Sequence, residues 1–369
     1  MQFRCRREHF VQGLSTVERA VSTRATMPIL ACVLIESDGE RLRLSATDLE
    51  LGVQCSVPAE ISEAGTIAVD GKYLTQIVRK ADSDTIDVRK LPDEHVVELH
   101  AARARFSLQA LPPDEFPGLP DVEHETPLRL LQRDLWTMIR QTIFATLDDD
   151  SRPFLTGILF EIEQDRVRLA STDMNRLALA SGRLIAPAER PRTALIPARA
   201  LAEVQRILDP RGDTEVEFAL GENLAAFRVG GASVVCRLIE SQFVNYRQVL
   251  PKDQKVQVRV EREPLLAAID RVSVLTPRGE AIVHLQIENG SLGVSAREAE
   301  IGQAYEEIPA ESTGGPVKIA FRAAYMIDVL RALDCEQIQF SMTDELRPGD
   351  VRAVGDDGFW YIVMPVRVG

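Results

Sequence analysis

The segments Val33-Leu34-Ile35-Glu36, Ile158-Leu159-Phe160-Glu161 and Leu285-Gln286-Ile287-Glu288 repeat one pattern at intervals of about 125 residues. A short polar turn follows each segment, and a second alternating segment follows the turn: Leu42-Arg43-Leu44-Ser45-Ala46, Val167-Arg168-Leu169-Ala170-Ser171 or Leu292-Gly293-Val294-Ser295-Ala296. Alternation of apolar and polar residues on both sides of a turn is typical of a half-buried antiparallel hairpin. The chain is therefore an internal triplication, and the repeated unit determines the architecture.

Length and composition indicate a soluble protein with several domains. The chain has 369 residues, and 45% of them are apolar, so each of three repeats has enough apolar residues for a core. No apolar run approaches the roughly 20 residues that a membrane helix needs. Residues 1–7 alternate like a strand and lack the apolar core of a secretion signal. We therefore expect a cytoplasmic protein.

The cysteines and histidines do not suggest a metal or disulfide site. There are five of each, they are dispersed along the chain, and no pair has the spacing of a metal site. The cysteines are interpreted as small core residues: Cys5, Cys32, Cys55, Cys236 and Cys335. The sequence predicts no metal and no cofactor.

Each repeat also carries two helical stretches. Amphipathic spacing predicts helices over 9–21, 131–145 and 264–275 before the hairpins, and over 72–81, 198–208 and 323–333 after them. Clusters of proline, glycine and acids at 111–120 and 250–253 predict linkers. We predict three tandem α+β domains with antiparallel sheets, over residues 1–120, 128–250 and 252–369, because a parallel sheet would require strict alternation of strands and helices.

The charge distribution favours contact with a polyanion despite the acidic balance. The net charge of −13 would ordinarily slow an encounter with nucleic acid. Most predicted helices are nevertheless basic, and residues 72–80 carry three cations and no acid. Solvated helix faces are the ordinary explanation for any single helix. The recurrence of basic helices across the repeats favours nucleic-acid contact.

Six motifs in order resemble the β subunit of bacterial DNA polymerase III, the sliding clamp family, over essentially the whole chain. They are Met27-Pro28-Ile29-Leu30, Ala46-Thr47-Asp48-Leu49-Glu50, Arg105-Phe106-Ser107-Leu108, Thr172-Asp173-Met174-Asn175-Arg176-Leu177-Ala178, Tyr246-Arg247-Gln248-Val249-Leu250-Pro251 and Val363-Met364-Pro365-Val366-Arg367. Each motif alone is weak, but their order on a threefold repeat of this length is specific.

The resemblance implies a DNA clamp fold and a non-enzymatic function. Two copies would form a head-to-tail, ring-shaped homodimer, with helices lining a central hole for duplex DNA and antiparallel sheets outside. The ring would hold the replicative DNA polymerase on DNA for processive synthesis, without reading sequence. The implied partners are the clamp loader and repair proteins, which bind through short clamp-binding motifs, and no membrane is involved.

The resemblance also implies an apolar pocket for partner peptides that end in leucine and phenylalanine. Its residues would be Leu155, Thr172, Met174, Asn175, Arg176, Leu177, Val244, Gln248, Val249, Arg322, Tyr325, Leu346, Met364, Pro365 and Val366. An ordinary core role for Leu177, Val249, Leu346 and Val366 is the competing interpretation.

The pocket sequence departs from the family pattern at its mouth. Met174-Asn175 replaces the usual Gly-His, Val244-Asn245 the usual Pro-Asp, and Gln248 a common basic residue. A methionine in place of glycine fills volume, so we expect an altered mouth. This departure leaves open a specialised second clamp with a different range of partners.

The resemblance places the dimer seam and the DNA contacts on other residues. Phe106 and Leu108 would meet Val274 and Leu275 of the other subunit, and Arg103 and Arg105 are candidates to pair with Glu298, Glu300 or Glu306. An inward role in their own domain is the alternative for Phe106 and Leu108. Arg24 matches a family DNA contact, and charge alone suggests further contacts by Lys72, Arg79, Arg152, Arg199 and Arg278.

A carboxylate-dependent phosphodiesterase is the remaining alternative. Asp148-Asp149-Asp150 has the chemistry of a cation site, and Asp48 and Asp173 suggest paired carboxylates. No base, nucleophile or phosphate-binding glycine loop accompanies them in the sequence. Because Asp48 and Asp173 occupy equivalent points in two repeats, structural turns explain them better.

Overall fold

The three predicted hairpins are present in the structure, a computed structural model that describes residues 1–22, 27–91, 95–120, 122, 125–149, 151–251, 254–276, 281–288 and 290–367. Val33 and Ile35 in the first hairpin are fully buried, as are Leu42 and Leu44. The intervening polar residues are more exposed, as the alternation predicts. The α+β clamp fold predicted from the sequence is confirmed.

Each repeat contains two helices among antiparallel strands. The first repeat comprises β1 (Gln2–Arg6), α1 (Arg7–Val17), β2 (Cys32–Asp38), β3 (Arg41–Thr47), β4 (Leu51–Pro58), β5 (Glu60–Glu63), β6 (Thr66–Asp70), α2 (Gly71–Lys80), β7 (Thr85–Lys90), β8 (Val96–Ala101) and β9 (Ala104–Leu111). The second comprises β10 (Leu128–Leu131), α3 (Gln132–Ile143), β11 (Gly157–Glu163), β12 (Arg166–Thr172), β13 (Arg176–Arg183), β14 (Arg192–Pro197), α4 (Ala198–Ile207), β15 (Glu215–Leu220), β16 (Leu224–Val229) and β17 (Ala232–Arg237).

The third repeat follows the same plan. It comprises β18 (Val256–Glu261), α5 (Arg262–Val272), β19 (Ile282–Glu288), β20 (Ser291–Glu298), β21 (Gly302–Pro309), β22 (Glu311–Thr313), β23 (Val317–Arg322), α6 (Ala323–Ala332), β24 (Gln337–Met342), β25 (Gly349–Ala353) and β26 (Phe359–Val363). Short 3₁₀ turns at Glu18–Ala20 and Ser273–Leu275 complete the predicted spans of the first and fifth helices. All six predicted helices are therefore confirmed to within a few residues at each end.

The chain forms two compact units whose boundaries do not follow the repeats. The first unit is Met1–Arg133 with Arg199–Ile239, and the second is Asp134–Ala198 with Glu240–Gly369. The predicted domain limits stay a prediction.

A continuous sheet organises the first unit. Its strand order is β10-β15-β16-β17-β4-β3-β2-β6-β9-β8-β7-β1-β5. Strand β17 ends the second repeat and pairs antiparallel with β4 of the first repeat, where Val235 lies opposite Gly52. Helices α1 and α2 pack against each other, and α1 also packs on β3 and β4.

The second unit repeats this junction in a sheet of order β14-β11-β12-β13-β26-β25-β24-β18-β22. Strand β26 ends the third repeat and pairs with β13 of the second, where Ile362 lies opposite Leu177. A separate sheet has the order β21-β20-β19-β23, and α5 packs on β20 and β21 and against α6. No helix in the described ranges of either unit is long and apolar enough to cross a membrane.

The cysteines are core residues, as predicted, with one partial exception. Cys5, Cys32, Cys55 and Cys236 are buried, whereas Cys335 is half-buried. Burial raises the pKa of Cys5, Cys55 and Cys236 to about 12. Burial, assisted by the charge of Asp70, raises the pKa of Cys32 to about 11. Since the thiolate is the reactive form, these four thiols are inert while the fold is intact.

We expect an aromatic disulfide that releases a coloured thiolate to react with Cys335 before the other four cysteines at pH 8, because Cys335 is half-buried and they are buried, and to react with all five after unfolding in guanidinium chloride. The reaction is followed by absorbance, and mass spectrometry of the labelled peptides assigns the site. Rapid labelling of Cys5 or Cys236 in the native protein would contradict the buried placement.

Candidate functional site

The predicted pocket is built on a tight turn between β12 and β13. Thr172 Oγ1 donates to the Arg176 carbonyl oxygen at 2.6 Å and accepts from the Met174 N–H at 3.0 Å. Asp173 Oδ1 accepts from the backbone N–H groups of Asn175 and Arg176 at 2.9 and 3.0 Å. These are the local bonds through which threonine and aspartate stabilise turns. The turn is therefore held by its own side chains.

Met174 sits at the tip of this turn in a left-handed backbone conformation, with φ of 76°. Such a conformation favours glycine and strains a residue with a side chain. Leu49 holds the equivalent position after β3 with φ of 78°, in a turn with the same threonine and aspartate bonds. The repeated Thr-Asp motif thus predicts two equivalent turns, and both project an apolar side chain.

Arg176 joins this turn to α3 and α6 through a largely buried polar network. Its side chain is 9% exposed and contacts Asp173 at 2.9 Å and Asp328 at 2.6 Å. It also donates to the Phe144 carbonyl oxygen at 2.6 Å. Its guanidinium lies 4.4 Å from the centre of the Tyr325 ring. A buried guanidinium with two carboxylates and an aromatic face is well compensated, and it gives the site a rigid base.

Tyr325 is held in place from a second direction. The buried Tyr361 hydroxyl donates to the Tyr325 carbonyl oxygen at 3.0 Å. Burial and the nearby Asp173 carboxylate raise the pKa of Tyr325. Burial raises the pKa of Tyr361 as well, so both phenols are neutral at physiological pH. The network that supports the pocket therefore does not titrate through its tyrosines near pH 7.

Four apolar side chains of the predicted pocket are exposed to solvent. Met174 and Val249 are 55% exposed, Leu346 is 58% exposed and Met364 is 44% exposed. An ordinary core role is therefore wrong for Val249 and Leu346, although Leu177 is buried as that interpretation requires. A contiguous patch of exposed apolar side chains is typical of a binding surface.

The remaining predicted pocket residues support or surround these four. Leu155, Thr172 and Leu177 are buried, whereas Arg176, Val244, Tyr325, Pro365 and Val366 are half-buried, and Asn175, Gln248 and Arg322 are exposed. The C-terminal segment is fixed to the turn because the Met364 N–H donates to the Asn175 carbonyl oxygen at 2.8 Å. The Arg322 guanidinium lies 5.7 Å from the centre of the Tyr325 ring.

Val244, Gln248 and Val249 belong to a separate anchored segment. The buried Tyr246 donates its hydroxyl to Glu161 Oε2, and Arg247 Nη2 donates to Glu161 Oε1 at 2.8 Å. These bonds tie the 3₁₀ turn Tyr246–Val249 to β11. None of the described hydrogen bonds or ring contacts joins this segment to the turn at Arg176.

The structure adds residues that the sequence did not single out: Phe144, Glu161, Asp328 and Tyr361. Asp328 follows Tyr325 by three residues on α6, so the two side chains share a helix face. That spacing was a usable signal. Glu161 is the last residue of the repeated hairpin segment, and nothing in its local pattern indicated a bond to a linker more than eighty residues away.

The predicted DNA contacts are mostly paired within the chain. Arg24 and Arg278 lie outside the described residues. Three others form ion pairs: Arg79 with Glu18 at 2.6 Å, Arg152 with Asp149 at 2.8 Å and Arg199 with Asp48 at 2.6 Å. Lys72 is exposed and forms no ion pair with a described residue. The three guanidiniums are exposed, whereas their carboxylate partners are half-buried, so the cations face solvent and are accessible to a phosphate.

Two strands present unpaired edges where the dimer seam was predicted. Strand β9 pairs with β8 along Ala104–Gln109, but its only pairs with β6 are at Ala110 and Leu111. Strand β21 is the outer strand of its sheet. Val274, next to β21, is 79% exposed, while Leu275, Phe106 and Leu108 are half-buried. Open edges of this kind invite pairing with another chain.

The charged residues predicted at the seam have partners inside one chain. Arg105 pairs with Glu98, and Arg271 Nε donates to Glu306 at 2.9 Å. Arg103 and Glu300 are exposed, and Glu298 is half-buried. Pairing of Arg105 with Glu306 across a seam would therefore require both residues to exchange partners.

The carboxylates suspected of catalysis stabilise turns. Asp48 accepts from the backbone N–H groups of Glu50 and Leu51 at 3.0 and 2.8 Å, as Asp173 does in its own turn. Asp149 accepts from the Ser151 N–H and pairs with Arg152, whereas Asp150 is not described. The described ranges contain no group of three or more residues suited to hold a metal ion.

We expect Tyr246→Phe to destabilise the protein by about 1–2 kcal/mol, because the Glu161 carboxylate loses a buried donor. The urea unfolding midpoint measures this. Tyr305→Phe is the matched control, since Tyr305 is exposed and its hydroxyl lies 3.3 Å from Glu307. Equal effects of the two substitutions would show that the bond from the Tyr246 hydroxyl to Glu161 does not stabilise the fold.

Comparisons with known proteins match the whole chain to one family. Models of the DNA polymerase III beta subunit match its N-terminal domain to residues 1–120, its central domain to 129–245 and its C-terminal domain to 247–367. The beta sliding clamp of Synechococcus elongatus is 31% identical over 374 residues, and that of Bacillus subtilis is 29% identical over 378 residues. Both alignments cover all of each chain.

Solved structures of sliding clamps are similar to the whole chain. The DNA polymerase sliding clamp of Bacillus subtilis superimposes with a TM-score of 0.93 at 28% identity. A sliding clamp of Pseudomonas aeruginosa bound to griselimycin gives a TM-score of 0.93 at 31% identity. Each superposition covers all of both chains.

Proposed function

Because the chain belongs to the family of DNA polymerase III beta subunits, the bacterial sliding clamps, we propose that two copies join head to tail into a ring that surrounds duplex DNA. The protein acts as a DNA sliding clamp and interacts with DNA and the polymerase. The single observation that supports the ring is that two strand edges, those of β9 and β21, lack the pairing that joins the other repeats.

Successive repeats are joined by the same strand pairing at both places where such a pair occurs in the chain. The last strand of a repeat, β17 or β26, pairs with the strand that follows the hairpin of the preceding repeat, β4 or β13. Strand β9 is the last strand of the first repeat, and β21 follows the hairpin of the third. These two strands are left without a junction partner in one chain. An edge of one copy that fits a different edge of the next copy gives a heterologous contact, which closes into a ring when the rotation allows it.

The equivalence of the three repeats predicts which residues of β9 and β21 would pair between subunits. Thr47, Thr172 and Arg297 each follow the second strand segment of the repeated hairpin. Their partners on the next strand are Gly52, Leu177 and Gln303, so these three partners occupy equivalent positions in the three repeats. Ser107 corresponds to Val235, because each lies three residues after the residue that opens its strand. Since Val235 lies opposite Gly52, the same register sets Ser107 opposite Gln303 and Phe106 opposite Ala304 of the other subunit.

DNA would be retained by ring closure, with electrostatics in a minor role. Arg79, Arg152 and Arg199 are exposed and would exchange their half-buried carboxylate partners for phosphates, and Lys72 is already available. Contacts of this kind do not read sequence and weaken with salt, which permits sliding. We propose no catalytic step, since Asp48 and Asp173 are committed to turns. Replication of chromosomal DNA gives the proposed cytoplasmic location.

The exposed apolar group at Met174, Val249, Leu346 and Met364 would bind extended peptides of the polymerase, the clamp loader and repair proteins. Methionine adapts to varied side chains, and the Arg176 network fixes the base of the pocket. The strained Met174 at the mouth specifically favours a second candidate, a specialised clamp with an altered range of partners. Weak binding of a generic polymerase peptide that is restored by Met174→Gly would support that alternative.

We expect the clamp, once loaded, to stay on nicked circular DNA and to leave after the circle is linearised, because topology retains it. Gel filtration of DNA with labelled protein measures retention before and after cutting. Raising the salt concentration should change retention on the circle little. Equal retention on circular and linear DNA would contradict ring closure.

We expect the variant that combines Ser107→Cys with Gln303→Cys to form a disulfide between subunits under mild oxidation. Residues directly opposite in an antiparallel pair lie about 4.5–5.5 Å apart between Cα atoms, within disulfide range. The matched control combines Ser107→Cys with Tyr305→Cys, a diagonal pair about 7–8 Å apart. Non-reducing electrophoresis separates the outcomes, and cross-linking that favours the control would show a different register.

A further inference from the structure

Strand β23 forms the outer edge of its sheet, and its C-terminal end lies at the proposed peptide pocket. Arg322, at its end, lies beside Tyr325 of the pocket. The strand pairs with β19 on one side only. On its other side, the Ala320 carbonyl oxygen accepts from the Val366 N–H at 2.8 Å. Extended segments add readily to such an edge through main-chain hydrogen bonds.

The outward face of this strand is cationic. Lys318, Ala320 and Arg322 alternate along β23, so their side chains share one face. Arg367 follows Val366 and lines the same groove as Lys318. Among the described residues, Lys318, Arg322 and Arg367 form no ion pair. In a chain of net charge −13, three unpaired cations beside an apolar pocket are a local reversal of charge.

A groove of about 390 Å³ connects Lys318 and Arg367 to the pocket residues Leu346 and Val366, whereas Arg322 does not line it and lies at the end of β23. Glu345 is the only carboxylate that lines it among the described residues. His284, opposite Ala320 in the ladder, also lines the groove. Burial and the charge of Lys318 lower the pKa of His284, so this ring is neutral at pH 7 and does not add to the charge.

We propose that this groove binds an acidic stretch that flanks the apolar motif of a partner peptide, with carboxylates facing Lys318 and Arg367 in the groove and Arg322 at the end of the same strand. Lys318 and Arg322 are separated by four residues of strand, about 13 Å, so a flank of about four extended residues reaches both. The proposal rests on the proposed peptide pocket and names the partner chemistry that it prefers. A peptide is favoured over a nucleic acid because the groove continues the apolar surface at Leu346 and Val366.

The test uses fluorescent peptides with one apolar core ending in leucine and phenylalanine, extended on either side by four aspartates, four asparagines or four lysines. Fluorescence anisotropy with the whole protein at low salt measures each dissociation constant. We expect aspartate on one side to bind about five-fold more tightly than asparagine, the effect of two exposed ion pairs. Lysine should bind more weakly than asparagine, and salt should reduce the differences.

Lys318→Glu should abolish or reverse the preference for aspartate. Lys255→Glu is the matched control, because Lys255 is exposed in the same unit and does not line the groove. It should preserve the preference. Far-UV circular dichroism confirms that both variants are folded, and Lys318→Gln provides a milder second variant.

Each outcome separates this proposal from the one on which it rests. Binding of all peptides with equal affinity overturns the acidic preference and leaves the pocket intact. Failure of every peptide to bind overturns both. If a single-stranded oligothymidylate binds more tightly than the aspartate peptide and depends on Lys318, the groove prefers nucleic acid, and the proposal is wrong.

Discussion

Backbone pairing between successive repeats is the constraint on which the rest of the structure depends. Strand β17 closes the second repeat on β4, and β26 closes the third on β13. Each junction satisfies the hydrogen-bonding groups of two edges at once, which an isolated repeat would leave exposed. One repeat therefore cannot complete its sheet alone. Three in series leave one edge open at β9 and one at β21 among the described residues, and those are the two edges to which the proposed second copy would attach.

The same repetition shows how the two filled junctions differ. Both turns after the hairpins use a threonine and an aspartate to hold an apolar tip, Leu49 in one and Met174 in the other. The residue that follows the turn differs. Leu51 begins β4, whereas Arg176 begins β13 and gathers Asp173, Asp328 and Tyr325 around it. Arg176 therefore joins its turn to α6, a connection that Leu51 cannot make.

Hairpins and helices were predictable from the sequence because their signals are local. Alternation at Leu42–Ala46 and helical spacing at 131–145 depend on neighbours within a few residues, and both were confirmed. The roles of Glu161 and Asp328 were missed because their partners are distant in sequence. The core interpretation was also wrong for Val249 and Leu346, which are exposed. An apolar residue type alone does not distinguish a core side chain from one on the surface.

The ion pairing of individual cations bears on ligand binding more than the net charge of the chain does. The acidic balance of −13 is compatible with the proposed DNA contacts because the guanidiniums of Arg79, Arg152 and Arg199 remain exposed although each is paired with a half-buried carboxylate. Such cations attract phosphates only at short range, where the screening by salt is least complete. Lys318, Arg322 and Arg367 have no competing carboxylate partner among the described residues, so a binding peptide gains their attraction without breaking an existing pair. Paired cations thus favour loose contact with a mobile ligand, whereas unpaired cations beside an apolar surface favour a specific one.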